Sequence, residues 1–178
     1  MKTIHIIATA FTLFAAASFA HGSITESENR FTGTTLITAY FQEDDICEKN
    51  PCTSFGYTHN EKTAFLSIYY HKINAGERYL KCHDVNWLAD GERIKTPDAN
   101  LVSSDKMKYG RVSEAIKQSH VEKATIEKIA NAKKAEFQIC LDEFELTPDE
   151  QAELREFLKR VEKAETERAK TNARARPL

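Results

Sequence analysis

The chain has 178 residues, with 25 Lys and Arg against 27 Asp and Glu, a formal net charge of −2. That balance argues against a dedicated nucleic-acid binder, which needs a basic field to neutralise phosphates. Beyond the first twenty residues no stretch is apolar enough to span a bilayer.

The chain opens on Lys2, an apolar stretch over residues 4–14 broken by His5, Thr9 and Thr12, and small residues at Ser18 and Ala20. This three-part pattern predicts a secretory signal over residues 1–20, because the apolar run is too short for a membrane anchor. The expected product is a periplasmic or secreted chain beginning at His21. All four cysteines, Cys47, Cys52, Cys82 and Cys140, follow that point. An even count in an exported chain predicts two disulfides. Three pairings are open. The expected one closes the loop CEKNPC with Cys47–Cys52 and staples two strands with Cys82–Cys140; the spacing permits this without demanding it.

In chain order, residues 21–30 are polar and aperiodic and predict a flexible lead. Residues 31–41, rich in threonine, isoleucine and aromatics, predict a strand. Residues 42–50 read as an acidic loop. Residues 53–58 and 63–73 flank a turn and predict a hairpin, and residues 78–88 predict another strand. Asp90-Gly91 predicts a tight turn into residues 92–95, since both positions tolerate positive φ. Residues 96–105, with Pro97, predict a loop. Val112, Glu114, Ile116 and Gln118 fit a strand or a helix, and a strand is the expectation. Ser119 and Glu122 have capping-box spacing ahead of a short helix carrying Val121, Ile126 and Ile129. Phe137, Ile139 and Leu141 predict a half-buried strand, turned at Asp142-Glu143, with Phe144 and Leu146 on the same buried face. Thr147-Pro148-Asp149-Glu150 supplies a capping threonine, a proline at the first helical position and a glutamate three residues after the cap. Leu154, Phe157, Leu158 and Val161 then form one apolar stripe. Residues 166–178 are charged and predict a frayed tail.

The expected fold is one α+β domain over residues 31–165: an antiparallel β-sheet or small β-sandwich, a short helix, and a C-terminal amphipathic helix packed on it. Residues 126–158, IEKIANAKKAEFQICLDEFELTPDEQAELREFL, resemble the tail of uncharacterised exported bacterial domains, in which a short helix, a hairpin and a capped final helix close a β-rich body. That resemblance implies a fold and no chemistry. The CEKNPC loop resembles the protruding two-cysteine loop of inhibitors of vertebrate lysozyme, without the histidine of that family's motif, and implies inhibition of a glycan hydrolase.

No Gly-x-Ser-x-Gly elbow, glycine-rich phosphate loop or unpaired thiol suggests catalysis. The sequence therefore predicts a non-catalytic exported binding or envelope-associated protein. Its candidate contact is the acidic run Glu43, Asp44 and Asp45 joined to Glu48, Lys49 and Asn50, with residues 48–51 held outward by the staple. Rigid presentation lowers the ordering cost of binding, and the acids would steer a basic partner. The acid run also has carboxylates for calcium, but not the spaced ligands and turn glycine of a known loop. The alternative is a copper-binding protein or oxygenase. There His21, as a new N-terminus, would chelate copper through its amine and imidazole, with His59, His71 or His83 as second ligand. Trp87, with Tyr69, Tyr70 and Tyr79, reads as core; its rival is an exposed stacking row.

Overall fold

The computed structural model describes residues 23–41 and 47–174. The segment expected to be a signal, His21 and the acidic run Glu43, Asp44 and Asp45 lie outside the described residues. Within them the fold is α+β, with two antiparallel sheets and two α-helices. The larger sheet has the order β1-β2-β3-β4-β8-β7. Its strands are β1 (Ser23–Asn29), β2 (Thr34–Phe41), β3 (Cys52–His59), β4 (Ala64–Asn74), β7 (Ala99–Lys106) and β8 (Val112–Val121). The smaller sheet has the order β10-β9-β5-β6, from β5 (Val85–Ala89), β6 (Glu92–Ile94), β9 (Ala135–Ile139) and β10 (Asp142–Glu145). The helices are α1 (Lys123–Asn131) and α2 (Pro148–Arg174).

Alternation decides what each sheet buries, because successive strand side chains point to opposite faces. Ile37, Ala39 and Phe41 of β2, Phe55 and Tyr57 of β3, Leu66, Ile68 and Tyr70 of β4, and Ile116 of β8 share the inner face of the large sheet. They pack in one cluster with Trp87, Phe137 and Ile139 of the small sheet, Ile126 and Ile129 of α1, and Leu154, Phe157, Leu158 and Val161 of α2. Trp87 is fully buried, and its ring meets those of Phe55, Tyr70 and Phe137 at 6.4, 6.3 and 4.8 Å between centroids. Tyr70 and Tyr79 are buried and Tyr69 half-buried on the opposite face, so these aromatics form no exposed row with Trp87.

One buried hydrogen-bond chain joins the layers. Trp87 Nε1 donates to Tyr70 Oη at 2.7 Å, and Tyr70 Oη donates to Gln118 Oε1 at 2.6 Å. Gln118 Nε2 then donates to Thr96 Oγ1 at 2.9 Å and the Pro97 carbonyl at 2.8 Å. Each side-chain polar atom of these four residues has a partner, which a dry core requires. Burial raises the Tyr70 hydroxyl well above its ordinary pKa, against the opposing hydrogen bond from Trp87.

Several local expectations hold. Asp90 (φ 53°) and Gly91 (φ 82°) make the two-residue turn between β5 and β6. The capping box is complete: Glu150 N donates to Thr147 Oγ1 at 3.2 Å, and Thr147 N donates to the Glu150 carboxylate at 2.6 Å.

Others are corrected. Residues 23–29 form an edge strand rather than a flexible lead, and residues 99–106 form the other edge rather than a loop. Both are largely exposed, so their pairing is carried by backbone hydrogen bonds and leaves little apolar alternation to read. The strand expected over residues 78–88 begins only at Val85. Ahead of it, the N–H groups of Arg78 and Tyr79 donate to the buried Glu114 carboxylate, at 3.1 and 2.8 Å, in place of a ladder. Ser119 is no helix cap: β8 runs on to Val121 opposite Leu66, and Glu122 occupies the cap position of α1 with no side-chain cap. The β9–β10 turn is Cys140-Leu141, not Asp142-Glu143, so Leu141 leaves the buried face and is 90% exposed. Residues 166–174 continue α2 instead of fraying; Arg168 Nε donates to the Asn60 carbonyl at 2.9 Å and ties the helix to the β3–β4 turn.

Candidate functional site

The disulfides are the expected pairs Cys47–Cys52 and Cys82–Cys140, and a residue beside each, Lys49 and Leu141, lines one cleft. The second joins a loop to the β9–β10 turn, not two strands. The first closes the loop entering β3. Ile73 N donates to the Cys47 carbonyl at 2.9 Å, Lys72 Nζ donates to the Glu48 carbonyl, and Arg111 pairs with the Glu48 carboxylate. Cys47 Sγ lies 3.4 Å from His71 Nδ1, and His71 Nε2 lies 2.7 Å from Ser113 Oγ. The loop is thus tied to β4 and to the start of β8. Of the four residues expected outward, Pro51 is buried and Glu48 is engaged by Arg111. Lys49 and Asn50 remain exposed.

Two other turns stand beside this loop. Residues 107–111 connect β7 to β8, and Arg111 links them to Glu48. In that turn Tyr109 is 96% exposed at φ 62°, ψ 29°. The left-handed region costs a side-chain-bearing residue roughly 1–2 kcal/mol, so Tyr109 carries a strained backbone and an exposed ring at once. The Cys140-Leu141 turn presents Leu141 across a cleft from Lys49. Composition hides both residues: Leu141 sits in an alternating run that reads as strand, and Tyr109 lies between two strands with no motif around it.

Two clefts open between these turns. One, about 400 Å³, runs from the stapled loop along Phe41, Phe137, Phe144 and Leu146 to Thr147 and Glu150 at the start of α2. The other, about 340 Å³, is lined by Lys49, Lys72, Asn74, Arg78, Leu141, Asp142, Glu143 and Phe144. Burial pushes the Lys72 ammonium below its ordinary pKa, partly offset by the Asp142 carboxylate. Asp142 accepts a forked contact from the Arg78 guanidinium and a 2.8 Å hydrogen bond from Tyr79 Oη. The Arg78 hydrogen bonds hold the Asp142 carboxyl below its usual range. Burial first, then the contact with Asp142, raises the Tyr79 hydroxyl.

The Ser113–His71 pair has the distance of a nucleophile and base, but the other imidazole nitrogen meets a disulfide sulfur where an orienting carboxylate would stand. The arrangement fits a structural anchor of the loop. His59 and His71 sit seven residues apart in register along β3, opposite Thr35 and Cys52, about 23 Å at strand spacing, so they cannot share a metal. His83 Nδ1 is buried without a hydrogen-bond partner among the described residues, where no group of three His, Cys, Asp or Glu side chains is gathered for a metal. No helix among the described residues is long and apolar enough to cross a membrane. Comparison with protein-family models and with curated proteins finds no match to the chain.

Proposed function

We propose that this chain is an exported, non-catalytic binding protein that engages a macromolecular partner with the end formed by the stapled loop, the 107–111 turn and the Cys140-Leu141 turn. The carrying observation is that three turns at one end, two of them closed or held by disulfides, present Lys49, Asn50, Tyr109 and Leu141 outward. Exposed aromatic and aliphatic side chains on rigid turns contribute nothing to the core, yet they suit an interface anchor surrounded by polar groups. Two disulfides and the signal-like N-terminal segment support an oxidising compartment.

The test is capture from envelope extract by the oxidised protein and three variants: Lys49→Ala with Asn50→Ala, Tyr109→Gly, and Leu141→Ser. None of these side chains packs in the core, so each variant should fold. A partner held by the wild type and lost by at least one variant supports the reading. A partner recovered equally by all four proteins places the contact elsewhere. N-terminal sequencing of the exported chain, with alkylation before reduction, tests the compartment: an uncleaved chain or four alkylated thiols would contradict it.

A further inference from the structure

We propose that the cleft between the stapled loop and the β9–β10 turn is a carboxylate-binding site, with the Lys72 ammonium as its cation and Lys49 and Arg78 as flanking donors. Lys72 is only 7% exposed, and its ammonium carries three N–H donors with one acceptor, the Glu48 carbonyl. Partial desolvation disfavours its charged form, the Asp142 and Glu48 carboxylates favour it, and the ammonium keeps donors for a further acceptor. Its nearest acids are otherwise engaged: Asp142 by Arg78 and Tyr79, Glu48 by Arg111, and cross-strand Glu114 by Asn74 Nδ2 and two backbone N–H groups. No acid lies within ion-pair distance of Lys72 among the described residues.

The cleft walls hold three cations, Lys49, Lys72 and Arg78, against two anions, Asp142 and Glu143. The lining itself thus carries one excess positive charge, and the Glu48 and Glu114 carboxylates beside it are held by Arg111 and by Asn74 Nδ2 with two backbone N–H groups. A monoanion neutralises that excess charge, whereas a phosphate near neutral pH brings close to two negative charges into a cleft that already holds two carboxylates. Arg78 keeps guanidinium N–H groups beyond those facing Asp142, and Lys49 has no partner among the described residues, so both can close on a carboxylate held by Lys72. The site deepens the proposed binding role by giving the partner a carboxylate to insert, but it does not need that partner to be tested.

The oxidised full-length mature protein is titrated with acetate, with a short peptide bearing one glutamate, with inorganic phosphate, and with chloride at matched ionic strength. Amide and lysine side-chain NMR shifts at Lys49, Lys72 and Arg78 give the readout. Acetate and the peptide should saturate, and Lys72→Met should weaken both by about tenfold or more. Lys49→Gln, at an exposed position that cannot unfold the chain, should weaken them by a smaller factor. Peptide binding well above acetate assigns the carboxylate to a protein partner; equal binding assigns it to a small free acid. Chloride matching acetate, phosphate exceeding it, or both variants binding as the wild type does would overturn the site. Capture of a partner by the three turns, with no acetate binding, would retain the binding role and remove only this inference.

Discussion

The Arg111 guanidinium grips the Glu48 carboxylate, which couples the stapled loop to the turn that presents Tyr109. Both side chains are about a third to a half exposed, so the pair contributes little to global stability. Arg111→Gln should cost below about 1 kcal/mol on denaturation. Hydrogen exchange at the Lys49 and Asn50 amides should nevertheless quicken, because the loop loses one of its anchors. Unchanged exchange there would show that the disulfide and Lys72 hold the loop without Arg111.

Tyr109→Gly relieves a left-handed backbone and removes a ring that touches nothing. Against glycine's greater chain entropy the net gain should be about 0.5–1 kcal/mol, a rise in Tm of a few degrees. A stabilised variant that has also lost its partner would mark Tyr109 as a residue kept for contact at a cost in stability. A fall in Tm would mean that Tyr109 packs in solution.

The two disulfides should differ in worth. Cys82–Cys140 closes a separation of 58 residues and Cys47–Cys52 one of 5. Chain entropy puts the first at about 4 kcal/mol and the second at about 2. Paired Cys→Ala variants compared by urea denaturation check the order, and the reverse order would show that native-state contacts outweigh loop entropy.

Tyr70→Phe removes one hydroxyl and strands two buried groups, Trp87 Nε1 and Gln118 Oε1. At roughly 1–3 kcal/mol for each orphaned group, the loss should be at least about 2 kcal/mol. Phe157→Ala, beneath α2 and fully buried, should cost about 3–5 kcal/mol. Wild-type stability in either variant would contradict the packing described.

Asp142 links stability to pH. Its folded carboxyl titrates below the ordinary value of 3.8, so its contribution is present above that value and is lost as pH falls through the lower folded one. The stability difference between wild type and Asp142→Asn should therefore hold at neutral pH and shrink below about pH 4. A difference that does not change down to pH 2 would remove Asp142 from the acid response.

By itself the sequence determined the features whose causes are local. The Thr147–Glu150 box needs only four consecutive residues, the Asp90-Gly91 turn only two, and the stripe Leu154, Phe157, Leu158, Val161 only the helical period. It also carried the alternation of the central strands, since each has an inner face to bury. The two edge strands were illegible because an edge is paired on one side only and rests on the core through few side chains, Ile24 in β1 and Ala99 and Leu101 in β7, so backbone hydrogen bonds form it with little apolar pattern. Tertiary structure alone decided the site. Lys72 alternates in β4 like a core residue, and Arg111 and Tyr109 sit in an unremarkable turn. Leu141 continues an apolar alternation that ends only because Cys140 is held by Cys82 and donates its N–H to the Asp84 carbonyl at 2.9 Å. These residues meet because antiparallel pairing brings the start of β8 beside the end of β4 and the loop entering β3. Contacts of such long sequence separation leave no trace in any local window of the chain.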